Sequence, residues 1–254
     1  MLNSIKISVI TIIYNSKDYI RQTIRSVEKQ TYNNIEYIIV DGGSTDGTLE
    51  IIRDNTKIIS KWVSEPDNGI ADAMNKGVQL ATGDYIFFLH SDDYFFSDTV
   101  IDDFVRLQAR KDIEIFANKI VFQRADQSEK EMAPRGYGKW LNFKNGFHHQ
   151  GTFCKKSVFD KIGLFDINLS IAMDYDFFLR AYRRGISYEK GNIIVSVMRD
   201  TGISSRIDWL TLSKRFYEER QVHKKNCNSF PLALLYRLFW YTYYPYRSLK
   251  RILG

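Results

Sequence analysis

Cysteine, proline and long apolar runs are what this chain of 254 residues has least of. Two cysteines exclude a disulfide framework, so Cys154 and Cys227 read as two idle thiols in a reducing compartment. Only four prolines, together with 44% hydrophobic and 15% aromatic residues, exclude a disordered chain. No apolar stretch reaches the ~20 residues of a membrane-spanning helix. The longest uncharged stretch near the C-terminus runs only from Asn226 to Tyr236. The opening Met1 to Lys6 shows no charged region followed by an apolar one, so no cleaved signal peptide is expected. Glycine-rich phosphate fingerprints are missing as well. The segment Asp41-Gly42-Gly43-Ser44-Thr45-Asp46-Gly47-Thr48 contains neither G-x-G-x-x-G nor a Walker A lysine, which disfavours a dehydrogenase or a P-loop NTPase. No Cys/His spacing suggests zinc, and no G-x-S-x-G stretch suggests a serine hydrolase.

What is present begins with charge. The formal net charge is +6, yet residues 1–205 hold 26 Lys and Arg against 27 Asp and Glu, while residues 206–254 hold 10 against 3. The body is therefore nearly neutral and the basic excess belongs to the tail. Up to about residue 110, short β-branched runs alternate with helical patterns, as in βα units closing on a mostly parallel sheet. Strands are predicted over Ile5–Ile13, Ile35–Val40, Lys61–Val63 and Asp84–Leu89, and helices over Lys17–Gln30, Thr48–Arg53 and Asp72–Leu80. Asp41 closes the second strand, Glu65 and Asp67 follow the third, and Asp92 and Asp93 follow the fourth. In open α/β sheets the ligand crevice lies beyond the carboxyl ends of the strands. Carboxylates gathered there repel one another unless a cation sits among them, and a hard divalent ion such as Mg²⁺ or Mn²⁺ fits oxygen ligands and substrate phosphates.

Five motifs in order carry a resemblance. Ser8-Val9-Ile10-Thr11-Ile12-Ile13-Tyr14-Asn15, the Asp41–Thr48 segment, Asp72-Ala73-Met74-Asn75-Lys76-Gly77, Ala81-Thr82-Gly83-Asp84-Tyr85 and Leu89-His90-Ser91-Asp92-Asp93 resemble the family 2 glycosyltransferases. The likeness continues more thinly through His149-Gln150-Gly151-Thr152-Phe153 and Met173–Arg180 to about residue 205. It implies a GT-A fold, a nucleotide-activated sugar as donor, usually a UDP-sugar, and inversion at the anomeric carbon. It also points to bacterial enzymes that assemble surface polysaccharides. The resemblance divides the chain into a glycosyltransferase domain over 1–205, with a nucleotide-sugar half over 1–110 and an acceptor half over 111–205. The basic aromatic helical tail over 206–254 is read as an appendage.

Residue by residue, the resemblance assigns Thr11 and Tyr14 to the nucleotide, Tyr14 as the face on which uracil stacks. Asp41 is the acceptor for the uracil ring N–H, and Asp72 and Asp92 complete the nucleotide contacts. Asp93 is the metal ligand of the Ser91-Asp92-Asp93 element, a D-x-D variant. Two positions depart from the commonest pattern, His90 where an acid or Asn often stands and Ile12 where Pro is usual. Inverting transfer needs a carboxylate that takes the acceptor's proton. Asp174 is that base, standing just before a helix predicted over Tyr175–Arg184, where the dipole favours the ionised form. Met173 replaces the Glu that commonly precedes it. Asp176 is the rival, although its spacing to Arg180 also suits an ordinary helix ion pair. His149 has two readings, a contact to donor or acceptor in the cleft or a loop histidine bonded to backbone.

The tail places eight aromatics between Phe230 and Tyr246, flanked by Lys224, Lys225, Arg247, Lys250 and Arg251. Pro231 suits the start of a helix, and Pro245 is expected to end or kink it. Aromatics with basic flanks fit an interfacial helix at an anionic membrane surface, which would place the enzyme peripherally on the inner face of the cytoplasmic membrane. A helix packed on the catalytic domain is the other reading. Nucleic-acid binding explains none of the acids in the first hundred residues. The expectation is therefore metal-dependent transfer from a UDP-sugar to a glycan or lipid-linked oligosaccharide. One sugar is added per encounter, since nothing resembles the Gln-x-x-Arg-Trp element of processive members. A sugar-nucleotide pyrophosphorylase and a non-catalytic glycan-assembly protein are the alternatives.

Overall fold

The computed structural model describes residues 5–108, 111–135, 137–146, 148–201 and 208–253. Met1–Ser4, residues 202–207 around the expected boundary, and the side chains of Lys250 and Arg251 lie outside what is described. In chain order the elements are β1 (Ile7–Ile13), α1 (Ile20–Glu28), β2 (Ile35–Asp41), α2 (Thr48–Asp54), β3 (Lys61–Ser64), α3 (Ile70–Leu80), β4 (Tyr85–Phe88) and β5 (Tyr94–Phe95). There follow α4 (Val100–Gln108), β6 (Ile115–Gln123), β7 (Glu129–Met132), β8 (Thr152–Lys155), α5 (Lys156–Ile162), α6 (Met173–Arg183), β9 (Tyr188–Arg199), α7 (Trp209–Lys225) and α8 (Phe230–Leu253).

Strand β1 is buried along its whole length because both faces carry β-branched side chains, as a central parallel strand requires. It pairs in parallel with β2 and β4, and β2 pairs in parallel with β3. The sheet order is β3-β2-β1-β4-β8-β6-β9-β5, with β7 on β6. Beyond β4 the sheet is mixed, since β8 runs antiparallel to both β4 and β6 while β9 runs parallel to β6. Helices cover both faces. One core packs α3, α5 and α6 on the sheet through Met74, Val78, Phe159 and Phe177, and the other packs α1, α2 and α4 through Ile24, Ile52 and Phe104. Close approach of α3 to β1 depends on Gly77, whose added Cβ would lie 2.4 Å from Ile10 Cγ2.

Elements expected from periodicity occur in the expected order, with ends displaced by a few residues. Two differences bear on the site. Helix α6 begins at Met173 rather than Tyr175, so Asp174 lies inside its first turn. Pro245 does not end the last helix, which continues to Leu253. Phe216 against Tyr243 and Trp209 against Tyr244 just before the proline, and Arg247 over the Phe216 ring just after it, hold the helix to α7 where a backbone hydrogen bond is lost.

The two tail helices are also docked more deeply than an appendage implies. Leu212, Phe216 and Trp240 form a core of their own, and Tyr236 and His223 are buried with them. Helix α7 rests on α6. No helix among the described residues is long and apolar enough to cross a membrane.

Candidate functional site

The loops at the carboxyl ends of β1 and β2 are knitted together. Asn15, at φ +47°, donates its backbone N–H to Ser44 Oγ at 2.8 Å and accepts the Thr45 N–H at 2.9 Å. Asp41 is fully buried. Its carboxylate accepts the backbone N–H groups of Gly43 and Ser44 at 3.1 and 3.0 Å, the Ser64 hydroxyl at 2.6 Å and the Ser44 hydroxyl. The engaged carboxylate thus holds the turn. Thr11 has no exposed surface, donates to the Leu89 carbonyl at 2.7 Å and bonds the Tyr37 hydroxyl at 3.1 Å, which ties β1 into the core.

Tyr14 is 65% exposed on the lip above this turn. Gly42 lies between it and Asp67, and an added Cβ there would come within 2.5 Å of Asp67 Oδ2 and 3.5 Å of the Tyr14 ring. Glycine there leaves room for the Asp67 carboxylate beside the Tyr14 ring. Asp72, in the first turn of α3, accepts the Asn68 backbone N–H at 2.9 Å and lies 3.9 Å from Lys76, which itself pairs with Glu65 at 2.8 Å.

A cleft of about 510 Å³ opens beside these loops and gathers Asp92, Asp93, His149 and Asp174. Tyr14, Asp41 and Asp72 are not among its lining residues. Asp93 is buried, and its Oδ1 accepts the Arg199 backbone N–H at 3.1 Å. Burial and then the charge of Asp92 push its carboxyl well above the usual range, against a smaller opposing pull from Arg199. Asp92 accepts the Thr201 hydroxyl, and its carbonyl accepts from the Arg199 guanidinium. No three His, Cys, Asp or Glu side chains among the described residues form a ready cation cage. The donor set fits a hard divalent ion held by Asp93, with Asp92 alongside and substrate oxygens completing the shell, because such an ion would favour the ionised form that burial opposes.

From Asp93 a chain of contacts leads across the cleft. The Asp93 N–H donates to the His90 carbonyl at 3.0 Å, and the His90 and His149 Nε2 atoms lie 3.1 Å apart. Burial and then the neighbouring His149 hold His90 well below the ordinary histidine range, so its ring is neutral. His149 Nδ1 is buried, without a hydrogen-bond partner among the described residues, and lies 3.8 Å from Asp174 Oδ2. One of the two Nε2 atoms must donate. With His90 as donor, the proton of His149 sits on Nδ1 and faces the carboxylate; the reverse would aim a lone pair at it.

Asp174 Oδ2 accepts Asn145 Nδ2 at 2.9 Å, and Oδ1 accepts the N–H of Tyr175 at 2.7 Å. Its side chain keeps 18% exposure, enough for a small hydroxyl to reach it. Asp176 faces elsewhere. It has no exposed surface, accepts Arg180 Nε at 2.8 Å and is bonded by Asn226 Nδ2 at 2.9 Å, which makes it a structural ion pair.

The sequence did not reveal how α6 is held. Its N-cap is Ala172, which has no side-chain acceptor. Glu218 on α7 instead holds the three residues that lead into the helix. Oε1 takes the Ser170 N–H and hydroxyl at 3.1 and 2.7 Å, and Oε2 takes the N–H groups of Ile171 and Ala172 at 2.7 and 2.9 Å. One turn on, Trp240 Nε1 donates to His223 Nδ1 at 2.8 Å, leaving the proton on Nε2 to donate to the Tyr175 hydroxyl at 2.8 Å. Burial, followed by Lys144 and Arg183, pulls His223 down to about 3 and keeps it neutral. The tail also enters the cleft wall through Arg215, Phe216, Glu219, Tyr243 and Arg247. Lys144, beside Asn145, pairs with Glu219 and stands 4.3 Å from the Tyr243 ring centroid. The only advance sign was a pair of acids, Glu218-Glu219, in an otherwise basic segment.

Comparison with known proteins agrees with the fold. A model of glycosyl transferase family 2 matches residues 8–189. An uncharacterized glycosyltransferase of Mycobacterium tuberculosis is 35% identical over 184 residues, covering 71% of this chain and 70% of that one. Among solved structures, Staphylococcus aureus TarS superposes with a TM-score of 0.69 at 18% identity, over 93% of this chain but only 44% of its own. Its 1–349 portion in complex with UDP-GlcNAc gives 0.66 at 20% identity, over 85% of this chain and 65% of that portion. A Pyrobaculum calidifontis mannosyltransferase in complex with GDP-Man and Mn²⁺ gives 0.67 at 17% identity, over 91% of this chain and 67% of its own.

Proposed function

The chain is a glycosyltransferase belonging to family 2, and from that premise we propose that it transfers one sugar from a UDP-sugar to a hydroxyl of a glycan acceptor with inversion. The observation that carries the reading is the convergence of Asp93, His149 and Asp174 in one cleft beyond the strand ends. Tyr14 and Asp67 form the lip for the base, Asp41 fixes the turn beneath it, and Asp72 braces the start of α3. Asp92 faces the ribose or sugar. A divalent ion, Mg²⁺ or Mn²⁺, would be held by Asp93 and would neutralise the diphosphate leaving group.

In the transfer step the acceptor hydroxyl gives its proton to Asp174 as its oxygen bonds to the anomeric carbon. The bond from that carbon to the diphosphate oxygen breaks on the opposite face, and UDP departs with the electron pair. Asn145 Nδ2 and the Tyr175 N–H hold the carboxylate in line. UDP-GlcNAc bound by TarS supports a UDP-sugar donor, and Mn²⁺ bound by the mannosyltransferase supports a divalent cation. The cytoplasmic face of a membrane, a lipid-linked acceptor and surface polysaccharide synthesis complete the proposal. The exposed Leu234, Leu238 and Tyr241 of α8 support the membrane part.

Two substitutions test it with UDP-sugar, acceptor and Mn²⁺. Asp174→Asn is expected to lower transfer by ~10²- to 10⁴-fold while UDP binding stays within a few-fold. Asp93→Asn is expected to remove the Mn²⁺-dependent part of UDP affinity. Equal loss of transfer and UDP binding in the first variant would reassign Asp174 to structure.

A further inference from the structure

A second cavity, of about 1000 Å³, lies between α7 and α8. It is larger than the catalytic cleft, and the mechanism does not use it. Its floor is made by the buried His223, Tyr236 and Trp240, and the exposed Tyr241 stands at its side. Arg220, Lys224 and Arg237 line it as exposed cations. No carboxylate among the described residues lies within ion-pair distance of these three. The acids of the tail are engaged elsewhere, Asp208 capping α7, Glu218 holding residues 170–172 and Glu219 pairing with Lys144.

An aromatic groove edged by three uncompensated cations is complementary to one kind of molecule, an amphiphile with a hydrocarbon chain and an anionic head. A single-stranded nucleic acid would use the cations and stack on aromatics, but it gains nothing from the apolar lining between them. Leu234 and Leu238, exposed on the same helix, continue the apolar surface beside the groove. We propose that this groove is a discrete binding site for one anionic membrane phospholipid, its acyl chain over His223 and Trp240 and its phosphate among Arg220, Lys224 and Arg237. The inference rests on the reading of α8 as lying at a membrane surface and sharpens it from general adhesion to one lipid per chain.

The test uses the full chain and a soluble probe, decyl phosphate below its critical micelle concentration, followed by isothermal titration. One saturable site per chain is expected, and decanol is expected to bind at least tenfold more weakly. Replacing Arg220, Lys224 and Arg237 together by Gln is expected to weaken decyl phosphate by roughly 100-fold, on the basis of about 1 kcal/mol per cation, with UDP affinity unchanged. Equal binding by this variant, or no saturation at one per chain, would overturn the site. Flotation on phosphatidylglycerol vesicles, with Leu234→Asp/Leu238→Asp as the non-inserting variant, tests the underlying reading separately. Decyl phosphate binding without flotation would overturn the phospholipid as occupant, and flotation without decyl phosphate binding would leave adhesion and remove the site. An oligonucleotide binding more tightly than decyl phosphate, or a dimer whose formation excludes the probe, would also refute the proposal.

Discussion

Asp174 is useful as a base only if its carboxylate points at the acceptor, and three neighbours decide that. The Tyr175 N–H fixes one oxygen, Asn145 fixes the other, and His149 Nδ1 lies 3.8 Å away. Removing Asn145 leaves the carboxylate free to turn without disturbing the nucleotide loops. Asn145→Ala is therefore expected to lower kcat by about 10- to 100-fold with UDP affinity unchanged. Steady-state kinetics at saturating donor, compared with UDP titration, would check this, and a parallel loss of both would show that Asn145 supports the fold instead. Asp92 and Asp93 were legible as a pair because they follow closely on a strand whose end opens on the cleft. Asn145 was not, because an amide in a loop carries no periodic signal and its partner is 29 positions away. The burial of Thr11 was not legible either, because nothing local in the sequence shows that its hydroxyl is given to the carbonyl of Leu89.

Among the elements, α6 depends most on a neighbour. A helix whose N-cap is alanine leaves its first N–H groups without a side-chain cap, and Glu218 reaches across from α7 to take the Ala172 N–H together with those of Ser170 and Ile171 in the approach to the helix. Because the group is buried, truncation strands those donors away from water. Glu218→Ala is expected to cost on the order of 3 kcal/mol, lowering the Tm by several degrees. It is also expected to lower kcat more than UDP affinity, since Asp174 sits two residues past the clamp. Thermal unfolding and a comparison of kcat with UDP affinity would measure the two effects. A Tm loss with kcat intact would make Glu218 purely structural. The strands and helices of the nucleotide half were readable because each has its own period. The Glu218 clamp was hidden, because a helix end held from 46 residues away leaves no local trace.

The tail alters how the whole molecule must be understood. Its basic charge suggested a separable membrane device, yet Tyr236 and Trp240 are buried, Tyr236 bonded directly to Arg183 of the body and Trp240 linked through His223 to Tyr175. Lys144 sits among Phe216, Trp240 and Tyr243 while pairing with Glu219. A chain cut after Ser229 would expose this aromatic core and the underside of α6 in one step. It is expected to lose transfer, and Trp240→Ala alone is expected to cost about 3–5 kcal/mol, a fall in Tm of roughly 10 °C for a domain of this size. Deletion therefore cannot separate membrane contact from catalysis, whereas Leu234→Asp/Leu238→Asp changes the exposed surface and leaves the packed face in place. The contrast is measurable by differential scanning calorimetry with a transfer assay on each variant. Full activity in the truncated chain would show that α8 is only an appendage, and unchanged stability in Trp240→Ala would remove the packing argument on which the reading of the tail depends.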